Sequence, residues 1–197
     1  MSNAPRLIAS LTVVCVVSAF CLSVVNGMTK TPIHEQERLA KLKAVRAVLP
    51  EFDNDPISDT LSVETGSEGD SKRILVYVGK KNGSPSGIAF EALGEGYGGM
   101  ISMVLGIDVN GQVSGVHILK HAETPGLGSR INEPGFRQAL KGKSLANSKL
   151  FRGDLAVKKD GGDIDAIAGA TISSRGVTTA VSQGLRFFEA HKAALIQ

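Results

Sequence analysis

The chain has 197 residues, of which 42% are hydrophobic and 21% charged, and a formal net charge of +3. That balance excludes general disorder, and the length suits one ordinary domain with an appendage. Basic residues are scattered instead of run together, and no aromatic-basic interleaving accompanies them, so no nucleic-acid partner is expected.

Leu7 to Val25, LIASLTVVCVVSAFCLSVV, carries no charge. As a helix it spans about 28 Å, close to the thickness of a bilayer's hydrocarbon core. A cleaved signal competes, because Val25 and Gly27 are small. Its apolar core would normally be about 7 to 15 residues, so a retained anchor is expected over residues 1–28. Cys15 and Cys21 both lie in this run, which leaves the remainder without a disulfide framework or a cysteine metal site. Positive charge flanks both ends, with Arg6 before and Lys30, Arg38, Lys41, Lys43 and Arg46 after, and does not decide orientation.

Thr31-Pro32 reads as a helix start, with threonine as cap and proline in the first turn. The helix formers of IHEQERLAKLKAVRAVL follow, and Pro50 stops them. Residues 51–70 are polar and turn-rich, so 29–70 reads as a helix and a connector, with the main domain at 71–197. Two hairpins come next. RILVYVG and SGIAFEAL flank Lys81-Asn82-Gly83 in a longer loop, and MISMVLGIDV and QVSGVHIL flank Asn110-Gly111. The second reads as a type I′ turn. EPGFRQALKGKSL predicts a short helix, LAVKK a strand, and the apolar face of Val177, Ala180, Val181, Gly184, Leu185 and Phe188 a final helix beginning near Ser174. The expected fold is α+β: a mainly antiparallel sheet with flanking helices, plus one N-terminal transmembrane helix.

Three stretches carry candidate chemistry. Gly94, Gly96 and Gly99 of GEGYGG match the dinucleotide pattern G-x-G-x-x-G, but a strand follows where that site needs a helix. A nucleotide-dependent dehydrogenase is therefore the weakest reading. In HAETPGLGSR, Pro125-Gly126 predicts a tight turn with glycine at the positive-φ position, and Glu123 and Thr124 at the end of the preceding strand. The loop reads equally as a surface turn or as a site offering polar groups, Leu127 and bare backbone at Gly128 to a flat ligand. In DAIAGATISS, Ser173 or Ser174 reads as a helix cap and Thr171 as an exposed strand end. Alternatively, Gly169 and Ala170 leave space around a Thr171 hydroxyl facing a phosphate, with helix N–H groups behind it and Arg175 assisting. The scattered histidines His34, His117, His121 and His191 have no metal-ligand spacing, so no metal site is expected.

Taken together, these stretches resemble the FMN-binding domain family, within it the G subunits of Rnf electron-transport complexes, with the C subunits of the sodium-translocating NADH:quinone reductase as relatives. The family's flavinylation motif, Asp-x-x-Ser/Thr-Gly-Ala-Thr followed by Ser/Thr, stands here as Asp165 to Thr171 and then Ser173. The ETPGLG signature stands as Glu123 to Gly128, and GYGG precedes a strand. One position departs: Ala168 occupies the place of the motif's Ser/Thr.

The resemblance implies one covalent FMN per chain, a phosphoester on Thr171 installed from FAD by a separate flavin transferase. Asp165, Gly169, Ala170 and Thr171 would be the motif that enzyme reads, with attachment surviving Ala168 because the acceptor and its Gly-Ala context are intact. Glu123, Thr124, Leu127, Gly128, Gly169, Ala170 and Ser173 would lie at the flavin. It implies a redox carrier with no catalytic side chain, working with the other membrane subunits of a ferredoxin:NAD+ oxidoreductase that translocates ions. The chain would be single-pass in a bacterial inner membrane, its soluble domain on the periplasmic side. The alternatives are a C-type subunit of the quinone reductase and an anchored assembly or binding module without flavin.

Overall fold

A computed structural model of the chain describes residues 4–65, 72–148 and 153–196. The chain divides between Ala40 and Lys41 into two compact units. The first is the helical portion before that point of α1, Ala4–Val48. Leu7, Leu11, Phe20 and Leu22 are all exposed around this helix. The helix is long and apolar enough to cross a membrane. The expected start at Thr31-Pro32 is not there, because Pro32 lies inside α1. Proline removes one backbone hydrogen bond from the interior of a helix. Just before it, the Thr29 hydroxyl donates back to Val25 O at 2.8 Å, which ties down the preceding turn, and good helix formers continue beyond.

The second unit is built on an antiparallel sheet in the order β1-β2-β3-β4-β5. Its strands are β1, Thr60–Thr65; β2, Lys72–Lys81; β3, Ser84–Glu95; β4, Met100–Asp108; and β5, Val113–Lys120. Side chains alternate between the faces. Ile88, Phe90, Met103 and Leu105 point to α3, Thr171–Leu195, and join its Val177, Val181, Leu185 and Phe188. Ala89, Tyr77 and Val104 point the other way, onto Ala44, Val45 and Val48 at the end of α1. Gly184 lets α3 settle on the sheet, since a Cβ there would overlap Leu105. α2, Pro134–Leu140, closes the β5 side through Phe136 and Leu140.

The α+β fold and its antiparallel sheet are as expected, while several local expectations change. The β2–β3 turn is the tight one: Asn82 and Gly83 both have positive φ, 52° and 78°, as a type I′ turn demands. At Asn110-Gly111 only the glycine does. There the Asp108 carboxylate accepts from Asn110 N at 2.9 Å and Gln112 N at 2.8 Å, which holds a wider turn. The polar stretch 51–70 contributes β1, and its expected end at residue 70 lies outside the described residues. LAVKK forms no strand. Val157 makes a single parallel bridge to Ile164, and Lys158–Asp160 forms a 3-10 turn.

His117 on β5 is half-buried, and burial first and Arg137 second push its imidazole below the usual value. A depressed histidine favours the folded state while neutral. Its contribution is therefore complete above the unfolded value of about 6.5 and is lost as pH falls below it towards the folded value. His117→Gln is expected to reduce the fall in melting temperature between neutral pH and about pH 5; equal pH profiles for the two proteins would disprove the linkage.

Candidate functional site

Three segments far apart in sequence converge at one end of the sheet. The first is the Gly96–Gly99 connection between β3 and β4, closed by Gly96 N donating to Gly99 O at 2.9 Å. It joins antiparallel strands, so GEGYGG is a hairpin end and the dinucleotide reading fails. Its glycines serve close approach. A Cβ on Gly94 would overlap Gly176 O of α3, and one on Gly98 would overlap Ala122 O.

The second segment, His121 to Gly128, follows β5. Gly126 has φ 74°, and Leu127 N donates to Thr124 O at 3.2 Å, giving the expected tight turn. Glu123 and Thr124 lie beyond the strand, which ends at Lys120, instead of on it. Glu123 is only 5% exposed. Its carboxyl oxygens accept from Gly98 N at 2.9 Å and from the Ser173 hydroxyl, so one buried side chain joins all three segments. Side chains at positions 96 and 128 would collide with it, which gives Gly96 and Gly128 their place. Glu123 N donates to His121 Nδ1 at 3.2 Å.

The third segment is the loop entering α3. The helix begins at Thr171 and not near Ser174, with Ala170 at the cap position and no side-chain cap. Neither Ser173 nor Ser174 is a cap: both are buried inside the helix. Ser174 Oγ donates to Ala170 O at 2.9 Å and accepts from Ile167 N at 3.0 Å. The first helical bond runs from Ser174 N to Ala170 O, so the N–H groups of Thr171, Ile172 and Ser173 have no acceptor within the helix.

Between the segments lies a pocket of about 550 Å³, lined by Tyr97, Glu123, Thr124, Leu127, Gly128, Lys159 and the run Gly169 to Ser173. That volume is in the range of small-molecule sites, about 300–1,000 Å³. Every residue expected at the flavin, namely Thr171, Gly169, Ala170, Ser173, Glu123, Thr124, Leu127 and Gly128, lines it. Asp165 does not; it is exposed and pairs with Lys158 at 2.7 Å. Nor does Arg175, whose guanidinium makes two 2.6 Å hydrogen bonds to Asp160. Those bonds hold the Asp160 carboxyl below its usual range.

Tyr97, Lys159 and Ile172 were not singled out by the sequence. Tyr97, 73% exposed, and Ile172, 47% exposed, leave apolar surface open at the rim beside Leu127. Tyr97 sits within GEGYGG, where the glycines make the recognisable pattern, and Lys159 lies in the LAVKK stretch that has the composition of a strand. A second cavity of about 550 Å³ opens where β2 and β3 part beyond Val76 and Phe90. It is lined by Ile74, Leu75, Phe187 and the Lys41–Glu91 pair and contains none of the motif residues. Among the described residues there is no cluster able to hold a metal ion.

The model of the FMN-binding domain family matches residues 96–186, which enclose all three segments. Over 182 residues the chain is 38% identical to the G subunit of the ion-translocating oxidoreductase complex of Stutzerimonas stutzeri, covering 90% of this chain and 78% of that protein. It is 34% identical over 184 residues to the corresponding G subunit of Cereibacter sphaeroides, covering 91% and 82%. The chain belongs to the G-subunit family of ion-translocating oxidoreductase complexes. In fold, this member of the G-subunit family resembles the crystal structure of the C subunit of the Na(+)-translocating NADH-quinone reductase from Parabacteroides distasonis. The TM-score is 0.57 at 18% identity, over 83% of this chain and 96% of that one. It also resembles Shewanella oneidensis NqrC, with a TM-score of 0.51 at 23% identity over 72% and 75%.

Proposed function

We propose that the chain is the membrane-anchored flavin carrier of an Rnf-type ion-translocating oxidoreductase, with FMN attached through its phosphate to the Thr171 hydroxyl. The observation that carries this reading is the position of Thr171. It is the first residue of α3, on the wall of a pocket that is also lined by Glu123, Thr124, Leu127 and Gly128 of the ETPGLG loop. The residues present fit the group. Unbonded N–H groups and the positive end of a 25-residue helix suit a phosphate. Tyr97, Leu127 and Ile172 suit a flat apolar ring, and Gly128 and Gly169 leave the backbone bare.

Of the hydroxyls in this segment, Ser173 is committed to Glu123 and Ser174 to Ala170, both in buried positions. Thr171 is left as the acceptor. When bound, FMN supplies one- or two-electron redox chemistry, and the protein sets its position and exposure. The chain's own residues hold it: α3 anchors the phosphate end, Glu123 fixes the pocket floor, and Leu127 and Tyr97 border the opening. No side chain here is required as a general base.

Under this reading residues 1–28 anchor the chain in a bacterial inner membrane and 71–197 carry the flavin on the periplasmic side, with β1 and the end of α1, from the 29–70 stretch, completing that domain. The partners are the other membrane subunits of the complex and, during maturation, a flavin transferase that uses FAD. Asp165, exposed and six residues before the acceptor, is available to that enzyme. Co-expression of the full chain with such a transferase is expected to give one fluorescent band after denaturation, and an intact mass raised by one FMN less water. An unmodified mass with a competent transferase would refute covalent attachment and assign the loss to Ala168.

A further inference from the structure

The turn Lys158–Asp160 grips the acceptor segment with three consecutive side chains. Lys158 Nζ lies 2.7 Å from Asp165, and Asp160 holds Arg175. Between them, Lys159 Nζ lies 3.2 Å from Thr171 Oγ1. Lys158 and Arg175 are thus each neutralised by a carboxylate. Lys159 makes its hydrogen bond to a neutral hydroxyl instead; its charge also acts on the neighbouring Asp160, but no carboxylate forms an ion pair with it among the described residues. The turn is held in place independently of any ligand: Lys158 N donates to Ile164 O at 2.8 Å, and Gly161 ends it with φ 86°. The exposed Lys159 side chain therefore reaches one hydroxyl through a single hydrogen bond, at the edge of a pocket that also receives the N-terminus of α3.

We propose that Lys159 is the positioning residue for the phosphate at Thr171: it is the counter-ion of the finished phosphodiester and speeds the formation of that bond. This inference rests on the covalent reading above. In the bond-forming step, Thr171 Oγ bonds to the FMN-side phosphorus of FAD. The bond from that phosphorus to the bridging oxygen breaks, and AMP leaves with the electron pair. The hydroxyl proton passes to a base of the transferase. Lys159 loses no proton. Its charge offsets the negative charge on the phosphoryl oxygens as they reach Thr171, and afterwards it faces the single charge that the diester retains. A charge-assisted hydrogen bond of this kind changes such an equilibrium or rate by about tenfold or more.

The test uses the full chain with a flavin transferase and FAD, comparing wild type with Lys159→Gln and Lys159→Arg. Three quantities are measured: the initial rate of appearance of the fluorescent band, the melting temperature, and acylation of the Lys159 amine before and after attachment, read by peptide mass. The expected results are a rate reduced about tenfold or more in Lys159→Gln, substantial rescue in Lys159→Arg, unchanged melting, and a Lys159 amine protected once flavin is attached. A Lys159→Gln chain modified at the wild-type rate, with the wild-type Lys159 amine equally reactive before and after, would overturn the role of Lys159 alone. A wild-type chain that never carries flavin at Thr171 would overturn the covalent reading, and this inference with it.

Discussion

Thr171→Ala is expected to abolish covalent flavin completely while moving the melting temperature by no more than about 2 °C. The small structural cost follows from its position. Thr171 is half-buried at the first position of α3, its side chain caps nothing, and Lys159 is the partner of its hydroxyl. Alanine is a better helix former than threonine, and a substitution of this kind normally stays within about 0.5 kcal/mol. The complete loss follows from the neighbouring hydroxyls. Ser173 is 1% exposed and Ser174 is fully buried, and each is bonded to an internal acceptor. Neither can take over without opening the first turn of the helix. In-gel fluorescence together with intact mass checks the result, and fluorescence persisting in the variant would place the acceptor elsewhere.

Glu123→Ala is expected to be the most damaging single change at the pocket floor. It strands the buried Ser173 hydroxyl, removes the acceptor of Gly98 N–H and leaves a void beside Gly96 and Gly128. The stranded hydroxyl costs about 1–3 kcal/mol and the void adds to it, so a total near 3 kcal/mol and a fall of about 8 °C in melting temperature are expected. Glu123→Gln keeps the shape and one acceptor oxygen, and the serine hydroxyl turns to accept from the new amide. Its expected cost is about 1 kcal/mol. Thermal melts of the three proteins in parallel decide the matter: an alanine variant melting with the wild type would show that the carboxylate is not what joins the segments.

Much of the fold was legible because alternation and helical spacing are written locally. The pattern of β3 and β4, the apolar face of α3 and the glycine turn at Gly126 needed no information from elsewhere in the chain. What escaped the sequence depended on partners that are distant in it. Asp108 captures the donors of its own turn, so Asn110-Gly111 does not make the type I′ turn that the same dipeptide makes at Asn82-Gly83. LAVKK has the composition of a strand, but Val157 finds only the lone Ile164 to bridge to, and the chain curls into a turn instead. Pro32 read as a helix start from its local preference, yet good helix formers on both sides carry α1 through it. The expected pocket residues came from two motifs and were found together. Lys159 and Tyr97 belong to neither motif, and only the folding of the loops brings them there.

The three-segment construction of the pocket also sets an order of events in biogenesis. Gly98, Glu123 and Ser173 meet only after the hairpin, the loop behind β5 and α3 have docked, and Thr171 belongs to the third of these segments in sequence order. The acceptor therefore reaches its final setting only when α3, which follows the other two segments in the chain, has closed against them. Cofactor loading would then act as a quality mark: the fraction of molecules bearing flavin would report the fraction that completed assembly, and a destabilising lesion far from Thr171 would first be seen as missing colour.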